Sequence, residues 1–183
     1  MVSAKGVLRN EGFAYALDNG AWHSYIQARP FDRVAFLKAV EMLGRDADFI
    51  VIPDIVGSSE SLAFSLGWLD TLADYKKLML PVQDGMTAQD VTPWLSERIG
   101  CFVGGTTEWK LRTMAMWAHV AHAAGAECHV GRVNSVYRIR ACAAAGVDSF
   151  DGSNASRYAV NLAKLDVSRR IADLFAQGDK RDA

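Results

Sequence analysis

Five aspartates of the 183-residue chain stand at the ends of short apolar, strand-like runs. Asp18 follows the run 13–17, Asp54 the run 49–53 and Asp84 the run 78–83, while Asp148 and Asp151 bracket Ser149 and Phe150. A carboxylate next to a buried strand must be solvated, paired or put to use, because burying an unpaired charge is costly. Parallel strands that end together bring such residues to one mouth. Two carboxylates on opposite sides of a bond can carry out a double displacement. One attacks an anomeric carbon; the other protonates the leaving group and later deprotonates the incoming one. The pattern implies an enzyme with a carboxylate-lined pocket.

The elements that must position these residues alternate along the chain. Strand candidates lie at 13–17, 49–53, 78–83, 100–103, 127–130 and 147–150, with residues 6–8 a seventh. Amphipathic stretches fall near 31–44, 58–75, 87–98, 107–124 and 134–145, and helical patterns near 154–164 and 167–177 follow the last strand. In 31–44, Phe36, Leu37, Val40 and Leu43 share one helical face, with Lys38 and Glu41 opposite. Thr87 before Asp90 and Asn134 before Val136 mark helix starts, and Gly44, Gly125 and Gly146 mark helix ends. Repeated βα units require crossovers and hence a parallel sheet. The expected fold is α/β: a single domain over residues 1–183, barrel-like and of the TIM type, but with six or seven strands rather than eight. Such a sheet leaves an edge that a second copy in a homodimer could cover.

Composition narrows the class. Half of the residues are hydrophobic and no apolar run reaches the roughly 18–20 residues of a membrane helix. The start has no long apolar stretch of a secretory signal. Cys101, Cys128 and Cys142 show no paired spacing, which fits reduced thiols in a cytoplasmic protein. The net charge of −1 conceals an asymmetry. The first hundred residues carry nine Lys and Arg against thirteen Asp and Glu; the remainder carry eleven against eight. A basic second half suits a polyanion, and equally a solvated helix face. His119 and His122, three apart on a helix, with Cys128 and His129 nearby, are the one candidate zinc constellation. The two histidines precede the strand and so lie away from its exit, and no metal is expected.

The strand exits resemble, in order, the motifs of the tRNA-guanine transglycosylases. Gly146-Val147-Asp148-Ser149-Phe150-Asp151 is similar to the family's Gly-Val-Asp-x-Phe-Asp signature, and Asp18-Asn19-Gly20-Ala21-Trp22 to its Asp-Ser-Gly-Gly-aromatic turn. Asp54 matches the guanine-reading aspartate. Gln83-Asp84-Gly85 is similar to Gln-Gln-Gly, Gly104-Gly105 to the Gly-Gly turn that contacts the base, and His129-Val130-Gly131 to Leu-Met-Gly. The set spans about residues 13–157. No cysteine follows Cys142, where the family's zinc subdomain would begin, and Ser153-Asn154-Ala155-Ser156-Arg157 replaces Pro-Thr-Arg. In lacking that subdomain the chain looks more like the small phage and bacterial DNA-modification transglycosylases than the tRNA enzymes.

The resemblance implies base exchange: guanine in DNA is replaced by a free 7-deazaguanine base, without a cofactor. Asp151 would be the nucleophile and Asp18 the acid/base. Asp54, Gln83, Gly104 and Gly105 would hold the base, since one carboxylate can accept guanine's two adjacent N–H donors. A base inside a duplex is unreachable, so the target must be flipped or single-stranded. Trp22, Trp109 or Tyr137 could stack on it or pack in the core. Lys110, Arg132 and Arg157, beside strand exits, are the candidate phosphate contacts. Two alternatives use the same scaffold: an N-glycosidic hydrolase with water in place of the incoming base, and a non-catalytic nucleic-acid-binding subunit.

Overall fold

The computed structural model describes residues 1–9, 12–153 and 158–166. Seven parallel strands form one sheet in sequential order: β1 (Val2–Ser3), β2 (Leu17–Asp18), β3 (Ile50–Val51), β4 (Leu78–Val82), β5 (Ile99–Val103), β6 (Cys128–Val130) and β7 (Ser149–Phe150). The six expected runs all contribute strands, five of them shorter than expected and β5 one residue longer. The seventh strand is Val2–Ser3 rather than residues 6–8, a correction: Val2 and Ser3 pair with Leu17 and Asp18. Helices α1 (Ala21–Ile26), α2 (Arg33–Leu43), α3 (Ser61–Leu66), α4 (Ala88–Val91), α5 (Thr107–Ala123) and α6 (Val136–Ala144) fill the crossovers. Residues 154–157 and 167–177 of the final helical patterns, and the tail at 178–183, lie outside the described residues.

The sheet curls into a half-barrel. Phe49, just before β3, and His129 in β6 are three strand spacings apart, about 14 Å in a flat sheet. Their ring centroids nevertheless lie 5.1 Å from each other. Alternation along the strands sorts the side chains. Leu17, Ile50, Leu78, Leu80, Cys101, Val103 and Val130 point outward into the main core with Phe36, Leu72 and Trp117. Ala16, Phe49, Val51 and Met79 form a smaller cluster on the concave face, with Phe102 against it. Asp18 follows Ala16 in its inward row, and Asp151 follows Ser149 in its own.

Local chemistry sets the helix ends. Asp32 caps α2 by accepting from the Ala35 amide at 3.0 Å. Thr87 and Asp90 form a reciprocal capping box at α4, and Thr106 caps α5. At α6 the cap is Ser135 rather than the expected Asn134. Gly125 and Gly146 adopt φ of 69° and 73°, left-handed conformations that end a helix at little steric cost to glycine.

One glycine is required by the curl itself. A Cβ at Gly100, the register partner of Met79, would lie 2.5 Å from Met79 Sδ and 2.7 Å from the Glu127 carbonyl oxygen. The thioether can move; the backbone carbonyl cannot without shifting β6. Gly100→Ala is expected to cost about 1–3 kcal/mol through overpacking. Urea denaturation measures it, and an unchanged midpoint would mean the concave face has slack.

Candidate active site

The C-terminal ends of β2, β3 and β7 deliver Asp18, Asp54 and Asp151 to one mouth, and their environments differ. Asp151 is three-quarters buried, its side chain 25% exposed. Burial alone would raise its pKa. His129 Nε2, 3.2 Å from Oδ2, and the Arg132 amide, 3.2 Å from Oδ1, outweigh burial and hold the carboxyl below the usual range. Asp18 lies across the mouth. Burial pushes its pKa up, and the negative charge of Asp151 adds to that, against hydrogen bonds from Ser3 and from the Gly20 amide at 3.2 Å. Asp54 is pushed up to about 6, again chiefly by burial and then by the charge of Asp18, with Asn19 and Arg132 opposing. One carboxylate is thus kept ionised and two are biased toward holding a proton.

His129 is the functional residue that sequence reading missed as such. Its side chain is 3% exposed, stacked on Phe102 at 5.0 Å and met edge-on by Phe49. Nδ1 lies 2.8 Å from the Ser149 hydroxyl. The tautomer protonated at Nε2 satisfies both nitrogens: it accepts from Ser149 and donates to Asp151. The available signal was a histidine at an inward-facing strand position, a poor place for a polar ring without a partner.

Asp54 is anchored by a defect in the sheet. Ile50 N donates to Lys77 O at 3.0 Å and Ile52 N to Met79 O at 2.9 Å. In that parallel register the amide returning to the Ile52 carbonyl would belong to residue 81, which is proline. Asn19 Nδ2 takes the vacant acceptor instead, at 2.8 Å, and also donates to Asp54 Oδ1 at 2.9 Å. Asn19 Oδ1 accepts from the Ala21 amide and starts α1.

Gln83 is buried behind this loop. Its Oε1 accepts from the Gly57 amide at 2.6 Å, and its Nε2 donates to Ile55 O at 3.1 Å and Ser61 Oγ at 2.5 Å. That corrects the expectation of direct base contact: the amide braces the segment carrying Asp54. Asp84 likewise serves structure, accepting from the Thr106 amide and hydroxyl at the start of α5. Gly104 donates to the Val82 carbonyl at 2.8 Å, and Gly105 has φ +61°. A Cβ at Gly105 would strike Asp84 Oδ2 and the Trp109 ring at 2.5 and 2.7 Å. Asp148 sits at the opposite end of the sheet, where its Oδ2 accepts from the Cys128 amide and lies 2.8 Å from His122 Nε2.

The expected phosphate and stacking residues divide. Trp22 is 42% exposed at the mouth, stacked on Tyr25, and the Arg132 guanidinium lies 4.0 Å over its ring. Arg132 has φ 60°, a strained value for a side-chain-bearing residue, and its Nη2 donates to the Gly105 carbonyl. Tyr137 is 70% exposed. Lys110 is a correction, and Trp109 takes the core-packing alternative of its two readings. Both lie under the surface, because the N-terminal turn of α5 packs against the sheet: Lys110 is 4% exposed with Nζ on the Gly131 carbonyl, and Trp109 packs against Trp117. Burial, with Arg132 and Arg138 nearby, lowers the Lys110 pKa to about 8, against the pull of Asp151. Arg157 lies outside the described residues.

Among the described residues no three His, Cys, Asp or Glu side chains gather in a group that could hold a metal, and no helix is long and apolar enough to cross a membrane. No protein-family model matches the sequence, and no curated protein matches it.

Two outcomes follow from these environments. His129→Phe keeps the ring in its stack but removes the donor to Asp151. The Asp151 carboxyl, followed by ¹³C NMR, should then titrate at higher pH than in the parent protein. A depressed carboxylate stabilises the fold above its unfolded pKa and loses that as pH falls, so this increment should shrink in the variant. Asp54 has the opposite sign. Its folded pKa of about 6 exceeds the unfolded value of about 3.9, so stability is lost as pH rises from about 4 through 6. Asp54→Asn should be more stable at pH 7, on the order of 1–3 kcal/mol, with the gain vanishing below about pH 4. Chemical denaturation across that range reads the slope directly.

Proposed function

We propose that the protein is a base-exchange transglycosylase that replaces guanine in DNA with a 7-deazaguanine base through a covalent aspartyl-glycosyl intermediate. The observation that carries the reading is the pair of inward-facing carboxyls, Asp151 held ionised and Asp18 biased toward its protonated form. Carboxyls whose environments push their pKa values apart suit a nucleophile and an acid. The ordered resemblance of the strand exits to transglycosylase motifs supports the same assignment.

The chemistry balances in two halves. Asp151 forms a bond to the anomeric carbon as the glycosidic C–N bond breaks, and Asp18 delivers its proton to the departing purine. The incoming base then gives its ring N–H proton to Asp18, its nitrogen bonds to the anomeric carbon, and the aspartyl ester bond breaks to restore the carboxylate. His129 orients the nucleophile and, by favouring its ionised form, also helps it leave. Asp54 accepts the N–H donors of the base, and the Gly105 amide would donate to its carbonyl. Trp22, exposed at the mouth with Arg132 over its ring, borders the base. Arg132, next to it, is the phosphate contact that the geometry favours.

Guanine-containing single-stranded DNA with a labelled 7-deazaguanine base should incorporate label, and tRNA should not. Asp151→Asn should abolish both incorporation and a denaturation-resistant DNA–protein adduct. Asp18→Asn should lower turnover at least a hundredfold, the usual scale of general acid–base catalysis, ~10²–10⁴. Abasic DNA without incorporation would mark a hydrolase instead, and an adduct that persists in Asp151→Asn would remove that residue from its role.

A further inference from the structure

A cavity of about 370 Å³ opens beside Asp54, between α1, the loop after it and α3. Its size is near the lower end of the ~300–1,000 Å³ typical of small-ligand sites. Tyr25, Phe31, Phe64 and Trp68 wall it, and the wall is built in advance: Phe31 meets Phe64 and Trp68 edge-on, both with centroids 5.8 Å apart. Arg29 and Arg33 line it as well, the Arg33 guanidinium 4.4 Å over the Trp68 ring. Among the described residues neither arginine has a carboxylate at ion-pair distance. The loop that aims Arg29 is held in an uncommon conformation, with Ala28 at φ 51° and the Arg29 amide donating to Ser24 O at 2.9 Å. Neither Asp18 nor Asp151 lines this space, so a sugar under attack does not occupy it.

We propose that this cavity binds a flat heteroaromatic ring that carries an anionic group, with its N–H donors toward Asp54 and its charge on Arg29 and Arg33. Aromatic side chains accept a planar ring, a carboxyl accepts or shares N–H protons, and two guanidiniums clamp a carboxylate or phosphate. A ring bearing an ammonium arm would set its charge against two arginines and is rejected. The anion has two sources: a carboxylate on a free base, or the phosphate of a nucleotide. The inference deepens the base-exchange reading by naming the charge class of the ligand, and it is tested by binding alone, without turnover.

Isothermal titration calorimetry with the full chain would use 7-carboxy-7-deazaguanine, 7-aminomethyl-7-deazaguanine, guanine and guanosine 5′-monophosphate. At least one anionic probe should bind about tenfold or more tighter than the aminomethyl and unsubstituted bases, a difference of about 1.4 kcal/mol. Preference for the carboxy base assigns a free base, and preference for the monophosphate a nucleotide. Arg29 and Arg33 are both exposed, so Arg29→Gln and Arg33→Gln should fold, as thermal melts would verify, and should abolish the preference. Equal affinities across the charge series, a preference that survives both substitutions, or no binding by either anion would overturn the proposal. Charge-selective binding without base exchange would leave this site standing and remove the transglycosylase reading; exchange without charge selectivity would do the reverse.

Discussion

A buried imidazole must find a partner for each polar ring atom or bear the cost of desolvation, and His129 finds both beside it, on the neighbouring strand β7, where Ser149 is its register partner, and at that strand's exit, Asp151. Flattening the sheet would withdraw Phe49 from its edge and open the concave face to water. The curl sets Phe49 against a ring whose two nitrogens are already held by Ser149 and Asp151 of the adjacent β7 and its exit. Packing and electrostatics therefore share one residue. The apolar rings that enclose His129 also lower the local dielectric, which strengthens its hydrogen bond to Asp151. Gly131 permits the approach: a Cβ there would lie 2.7 Å from the Phe102 ring.

The other side of the mouth depends on what the backbone lacks. Pro81 supplies no amide to Ile52, and an unfilled buried carbonyl is costly. Asn19 fills it, and in doing so ties the end of β2 to the exit of β3 and fixes Asp54. A substitution of Pro81 that restored the amide would compete with Asn19 for that carbonyl and loosen Asp54. Gln83 performs the second half of the task from β4, bracing residues 55–61 from behind. Three neighbouring strands thus cooperate to hold one carboxyl that burial alone would expel.

Much of this was legible in the residues. Strand positions follow from apolar runs, because parallel strands covered on both faces read as such. The order of the exits and the inward row of aspartates follow from period-two alternation. Asp148 could be assigned to the far end because it precedes its strand. What was not legible depends on partners distant in sequence. Val2–Ser3 is a strand only because Leu17–Asp18 lies beside it. Lys110 read as exposed next to a glycine-rich exit, and Trp109 as either a stacking or a core residue, yet the first turn of α5 lies against the sheet and buries both. Gln83 looked like a ligand-facing amide because nothing local indicates that Gly57, Ile55 and Ser61 take up its hydrogen bonds. His129 read as part of a motif and of a candidate zinc constellation, and its partnership with Asp151 was hidden for the same reason.

The three carboxyls share a mouth but not a field. On the β5–β7 side, Lys110, Arg132 and Arg138 are grouped around Asp151, and the Arg132 amide and His129 add donors. On the β2–β3 side, Asp18 and Asp54 repel each other, with Ser3, Gly20 and Asn19 as neutral donors. Charge of one sign is concentrated across a few strand spacings from charge of the other. Ionising Asp151 is favoured by the donors and cations near it, whereas ionising Asp18 must overcome burial and then Asp151, and ionising Asp54 must overcome burial and then Asp18. In the proposed reaction this gradient would select which aspartate attacks, through the strands on either side of each residue rather than through the residue itself. For base exchange it also orients the substrate. The anionic backbone is drawn to the β6 side, where Arg132 lies over Trp22, and the proton-rich edge of the base to the β3 side. The glycosidic bond then spans the two, between Asp151 and Asp18.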